Sequence, residues 1–207
     1  MFHDVITSLD ELRALVGEPS ELARAKQLAA LDVHCRSFIA HAPFLLMATA
    51  NAAGHCDVSP KGDAPGFVRV LGDHHLVVPD RPGNKRLDGM RNILENPNVG
   101  LIFLVPGVGE TLRVNGRAAI VRDPEVLAAC AVDGKQPLLA IAVEVRECFL
   151  HCAKALRRSH LWEPAAWPDV SGLAPRARMF FDQAKPAGMT VEDLECRLQT
   201  SYTTGLY

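Results

Sequence analysis

Seven stretches of this chain are apolar or alternating and read as strands. They are FLLMATA (44–50), HCDVS (55–59), FVRVL (67–71), HLVVP (75–79), VGLIFLV (99–105), TLRVNGRAAIV (111–121) and LLAIAVEVRECFLH (138–151). Each is bounded by Gly, Pro, Asn or Asp, the residues that end strands and build turns. The shortest connections, Asn51-Ala-Ala-Gly54 and Gly72-Asp73, force their flanking strands to run antiparallel. The expectation is a mainly β fold, an antiparallel barrel or sandwich with flanking helices. One helix interrupts the strands at 84–95, and a short one is predicted at 124–131.

The flanks read as helical. Ser8-Leu-Asp-Glu11 has the form of a capping box, and Leu9, Leu12 and Leu15 follow at helical spacing until Gly17 and Pro19. A second helix is predicted from Ser20 to His41, stopped by Pro43. Residues 163–175 are Pro-rich and read as an ordered loop, and Thr190-Val-Glu-Asp193 opens a last helix. With 207 residues, no repeat and no linker, the expectation is a single domain over 1–207. It carries an N-terminal helical segment (1–42) and a C-terminal extension (163–207).

The formal charge of −2 is spread evenly, which argues against a nucleic-acid or membrane-surface partner, since those need a basic face. No apolar run approaches a bilayer span, and the opening MFHDVITSLDEL has neither the basic nor the apolar region of a secretory signal. The six cysteines therefore read as reduced thiols of a cytoplasmic protein. Cys148, His151 and Cys152 lie close in sequence, but no second ligand pair accompanies them, so no metal is expected.

The segment VVPDRPGNKRLDGMRNILENP (77–97) sets three cations, Arg81, Lys85 and Arg86, around a turn that opens a helix. Asn84 is placed as an N-cap. Lys85 and Arg86 would then occupy the first helical turn, where cations oppose the dipole unless an anion lies between them. A phosphate answers that need. A solvated basic turn with Asp80 and Asp88 as counterions answers it too. Neither a nucleotide P-loop nor a dinucleotide fingerprint is present. Arg69 shares a strand face with Phe67 and Leu71, with Val68 and Val70 opposite; it either reaches solvent from an edge or faces the same anion.

The strings SPKGDAPGFVRV, PDRPGNKR, ENPNVGLIF, GETLRVNGRA and HCAKALRRSHLW occur in that order over about residues 40–165. Together they resemble the flavin-binding split barrel of the pyridoxamine 5′-phosphate oxidase superfamily, in its uncharacterised branch of FMN-dependent enzymes. The resemblance implies a six-stranded antiparallel Greek-key barrel, paired as a homodimer with FMN at the subunit interface. It implies that Asn84, Lys85 and Arg86 meet the FMN phosphate, and that Arg69 joins them from the strand Phe67, Val68, Arg69. It places Pro79, Asp80 and Thr111 near the flavin ring, Ser59 and Lys61 at flavin or substrate contacts, and Trp162 as an indole from the partner subunit.

The resemblance also has gaps. Pyridoxamine phosphate oxidases grip their substrate phosphate with a Tyr, an Arg and a Ser after the GETLRVNGRA-like strand. DPEVLAACAVDGKQP has none of them, and the C-terminal Arg/His motif is missing. The implied activity is an FMN-dependent oxidoreductase acting on another small molecule, with NAD(P)H as candidate reductant and no catalytic acid or base nominated. The alternatives are a non-catalytic flavin-binding or stress-response module, and a haem-handling split barrel using His74 and His75.

Overall fold

Alternation along the first strand turns Leu45, Met47 and Thr49 inward and leaves Phe44, Leu46 and Ala48 on the opposite face. The same period runs through the neighbouring strands, and it builds one sheet with a buried and an open side. The computed structural model describes residues 1–207. Its strands are β1 (Phe44–Ala50), β2 (Cys56–Gly62), β3 (Arg69–Leu71), β4 (His75–Pro79), β5 (Asn98–Leu104), β6 (Thr111–Val121) and β7 (Ala140–His151). All pairs are antiparallel, in the order β2-β1-β5-β6-β7-β4-β3. This corrects the six-stranded closed barrel: seven strands form an open ladder with β2 and β3 as its edges. The runs of the sequence had this count. The implied barrel leaves no strand over, but Cys56–Gly62 has the full register of β1 to pair with.

The helices are α1 (Leu9–Val16), α2 (Glu21–Ala25), α3 (Val33–His41), α4 (Asp88–Glu95), α5 (Pro124–Ala129), α6 (Lys154–Arg158), α7 (Arg176–Ala184) and α8 (Val191–Thr204). The long helix expected over 20–41 is broken into α2 and α3. Between them Leu28 exchanges two backbone hydrogen bonds with Cys148 of β7 (3.0 and 2.8 Å), and the Asp32 carboxylate caps α3 at Cys35 N–H (2.7 Å). The far end of β7 thus claims backbone that periodicity assigns to a helix. Thr190 and Asp193 form the expected capping box of α8, whereas α7 carried no signal that was read. No helix is long and apolar enough to cross a membrane.

Leu45, Met47, Leu101, Phe103, Leu112, Val114 and Val143 fill the buried side together with Ile39 of α3 and Ile93 of α4. The other side of β2-β1-β5 has no helix over it. Register sets Pro60, Leu46 and Ile102 in one row and Val58, Ala48 and Gly100 in the next. Val58 and Ile102 stay exposed there. All six cysteines are free thiols.

Gly116 marks a bulge where β6 slips against β7. A Cβ at this position would lie 2.2 Å from the Glu144 carbonyl oxygen, whereas one at Gly172 meets nothing within 4 Å. Gly116→Ala should therefore lower stability by about 1–3 kcal/mol as backbone shifts to relieve the overlap, and Gly172→Ala should not. Urea unfolding midpoints of the two variants check this.

Candidate functional site

β4 ends at Pro79, where Val77, Val78 and Pro79 are buried and the Asp80 N–H donates to Leu139 O (3.1 Å). The chain then enters the cationic turn, whose geometry differs from the expected one. α4 begins at Asp88, so Asn84 is not its N-cap. Asn84 Oδ1 instead accepts the Arg86 N–H (3.0 Å) and closes a turn within the loop. Lys85 (φ 59°) and Leu87 (φ 62°) both adopt left-handed backbone. For residues with a Cβ this costs of order 1–3 kcal/mol each, and it persists only where the surroundings enforce it.

Lys85 and Arg86 consequently precede the helix and do not sit in its first turn. Asp88 holds that turn, and its carboxylate accepts from Arg86 Nε (2.7 Å). The unopposed clash between cations and dipole that the sequence predicts is therefore absent. An anion bound here would compete with Asp88 for Arg86.

Two adjoining cavities flank this turn. The wider, about 640 Å³, is lined by residues that include Lys61, Asp80, Lys85, Lys135, Leu139 and Tyr207. The narrower, about 270 Å³, reaches Met47, Asp57, Ser59, Arg86 and the start of α4. Lys61, Asn84 and Leu87 line both. The larger volume falls within the roughly 300–1,000 Å³ usual for a small-molecule or cofactor site.

Hydrogen bonds beneath the site fix its walls. Asn92, buried in α4, donates from Nδ2 to Thr49 Oγ1 of β1 (3.1 Å) and to Asp57 Oδ2 of β2 (2.8 Å). Asp57 is thereby engaged. Asp63 is held on both oxygens: Arg81 Nε donates to Oδ2 (2.6 Å), while the Tyr207 hydroxyl (2.6 Å) and the Ala64 N–H (2.7 Å) donate to Oδ1. Burial pushes the Asp63 carboxyl up, but these donors outweigh it and hold the pKa below the usual carboxylate value. Asp80 has no side-chain partner, and burial raises its pKa against the pull of Lys61. Lys61, Lys85 and Lys135 make no ion pair. The set thus offers three unpaired ammonium groups, an unpartnered carboxyl and a loosely held guanidinium around a space of cofactor size. This fits a ligand that carries a phosphate on one end.

Of the residues singled out from sequence, Ser59, Lys61, Asp80, Asn84, Lys85 and Arg86 come together on the two cavities. Pro79 is buried at the end of β4. Phe67 and Val68 belong to the core, and Arg69 donates to Ala129 O (2.8 Å) and Gly66 O (3.2 Å) outside both cavities. Thr111 pairs with His151 across β6 and β7, and Trp162 Nε1 donates to Val108 O (2.9 Å); neither lines either of these two cavities. His74 and His75 lie at the exposed β3–β4 turn. The reading missed Leu87, Lys135 and Tyr207. Lys135 is the one cation of the segment 123–137 and could have been noticed, but nothing local marks Tyr207.

A sequence profile described as pyridoxamine 5′-phosphate oxidase matches residues 31–152. No curated protein matches the chain. Among solved structures, HupZ of Group A Streptococcus is 18% identical over 57% of this chain and 92% of its own, with a TM-score of 0.46. General stress protein 26 of Bacillus anthracis is 15% identical over 56% and 88% (TM-score 0.43). HutZ of Vibrio cholerae, described as a heme storage protein, is 15% identical over 59% and 94% (TM-score 0.42).

The Asp63 knot titrates in a predictable direction. Its depressed pKa adds stability that is complete above the ordinary Asp value of about 3.9 and is lost as pH falls through the lower folded value. Asp63→Asn should melt below the parent protein at neutral pH, and the two melting curves should converge on acidification. Calorimetry from pH 7 down to pH 3 checks the sign.

Proposed function

The chain belongs to the pyridoxamine 5′-phosphate oxidase family, and on that premise we propose that it is an FMN-binding oxidoreductase of a small molecule other than pyridoxamine 5′-phosphate. The observation that carries this reading is the cavity pair astride the 81–87 turn, with unpaired Lys61 and Lys85 and the exposed Arg86 around it. When bound, FMN supplies the hydride and electron chemistry. The protein then has to hold a dianion at one end and a flat ring at the other.

Arg86, Lys61 and Ser59 are the residues for the phosphate, with Asn84 shaping the turn that presents them. Arg86 must give up Asp88 to do so, an exchange of one carboxylate for a doubly charged group with more acceptor oxygens. The ring belongs to the wider cavity, where Asp80 is the group to exchange or hold a proton beside it. Asp80 suits that role because it keeps its proton to a higher pH than an ordinary Asp.

Segment 123–137 supports excluding pyridoxamine 5′-phosphate. Lys135 and Gln136 are its only polar side chains on the cavity, in place of a Tyr, Arg and Ser set. His74 and His75 line neither cavity and supply no haem ligand there. NAD(P)H remains the candidate reductant, and the reduced-thiol pattern supports a cytoplasmic setting for a single domain spanning 1–207.

We also propose a homodimer through the helix-free face of β2-β1-β5, the side of the sheet opposite Met47, Ser59 and Lys61, which sets the cavities behind the seam and not at it as the resemblance implies. Its rows of Pro60, Leu46 and Ile102 and of Val58, Ala48 and Gly100 are apolar, and Arg113 and Asn115 of β6 border them. Arg69, Thr111 and Trp162, outside the cavities of one subunit, are then the residues to examine for contact across that interface. Sedimentation should give a dimer, and Ile102→Glu should shift it to monomer; a parent protein that sediments as a monomer would contradict the interface.

FMN titration followed by flavin absorbance tests the main reading. Arg86→Ala should weaken FMN about ten- to a hundredfold, the loss of one charge-assisted contact. Riboflavin, which has no phosphate, should bind unchanged. Equal losses for the two ligands would refute the phosphate assignment.

A further inference from the structure

We propose that Tyr207 is the aromatic wall of the wider cavity and lies against the flavin ring, anchored there by the Asp63–Arg81 pair. This rests on the FMN reading above and adds a ring-recognition residue to it. The lysines of the cavity recognise charge. A flat heteroaromatic ring is recognised by another π face or by apolar surface. Tyr207 is the only aromatic side chain lining either cavity. It is also far from every motif that the sequence marks.

The way Tyr207 is held points to a built contact. After α8, the segment 205–207 brings the phenol back to the sheet, where its hydroxyl donates to Asp63 Oδ1 (2.6 Å). Asp63 is a fixed anchor: its side chain is 2% exposed, and Arg81, itself 16% exposed, donates to the other oxygen. The Arg81 guanidinium also lies 5.5 Å from the Tyr207 ring centroid, a cation–π distance. The charged and titratable groups facing the phenol are thus Asp63 and Arg81, with Asp80, Lys61, Lys85 and Lys135 around the same cavity. Gly205 has no side chain and that of Leu206 is apolar, so Tyr207 is the residue that ties the segment to the site by a side-chain hydrogen bond.

Flavin fluorescence gives a readout independent of turnover. A phenol in contact with a flavin ring quenches its emission by donating an electron to the excited state, and a phenyl ring does not. Parent protein, Tyr207→Phe and Tyr207→Leu are titrated with FMN and with riboflavin. The parent should quench both ligands. Tyr207→Phe should restore most of the emission while keeping most of the affinity. Tyr207→Leu should restore emission and weaken both ligands by the same factor, about three- to tenfold. This contrasts with Arg86→Ala, which discriminates between them. Flavin that binds Tyr207→Leu with unchanged affinity and unchanged quenching overturns the inference and leaves the FMN reading standing. A parent protein that binds neither flavin overturns both. Both variants should melt a few degrees below the parent, because each removes the hydroxyl that donates to Asp63.

Discussion

One carboxamide fixes the geometry of the site. Asn92 is buried on α4 and spends its amide donors on Thr49 in β1 and Asp57 in β2. A buried polar group without partners is costly, so these bonds lock the helix to two strands at one height and one rotation. The first turn of α4, the Arg86–Asp88 pair and the narrower cavity all take their position from that contact. Without it the helix could slide on the apolar surface of Met47, Met90 and Ile93, which specifies burial but not register.

Charge in the site follows from placement more than from count. Cations outnumber acids in its lining, and each acid in or beneath it but Asp80 is committed to a structural partner. Asp57 is held by Asn92, Asp63 by Arg81 and Tyr207, and Asp88 by Arg86. The three lysines are not. The result is a space that is positive toward a visiting ligand, with Lys61, Arg81, Lys85, Arg86 and Lys135 in its lining against Asp57, Asp80 and Asp88, and it contains one carboxyl whose ionisation is left to respond to that ligand.

The sheet was legible because its signals are local and repeated. Alternation fixes which face of β1, β5 and β6 is buried, and Gly and Asn at the turns fix the pairing. The helix boundaries were legible only where a capping side chain sat next to an apolar run, as at Ser8 and Thr190. They were not at 20–41, where a distant strand takes Leu28, nor at 84–95, where Asn84 caps a turn of its own and the helix waits four residues. Half of the candidate site residues converge because they sit on one strand and one turn. Lys135 and Tyr207 reach the same cavity from far along the chain, through tertiary packing that no short pattern encodes.

The left-handed residues at the site have one more implication. Glycine would occupy positions 85 and 87 without steric penalty, and at either one it would make the loop easier to fold. It would also strip an ammonium group and an isobutyl group from the lining of the wider cavity. The chain carries the conformational tension and keeps both side chains, so the loop behaves as a sprung frame whose most comfortable composition and whose working composition are different.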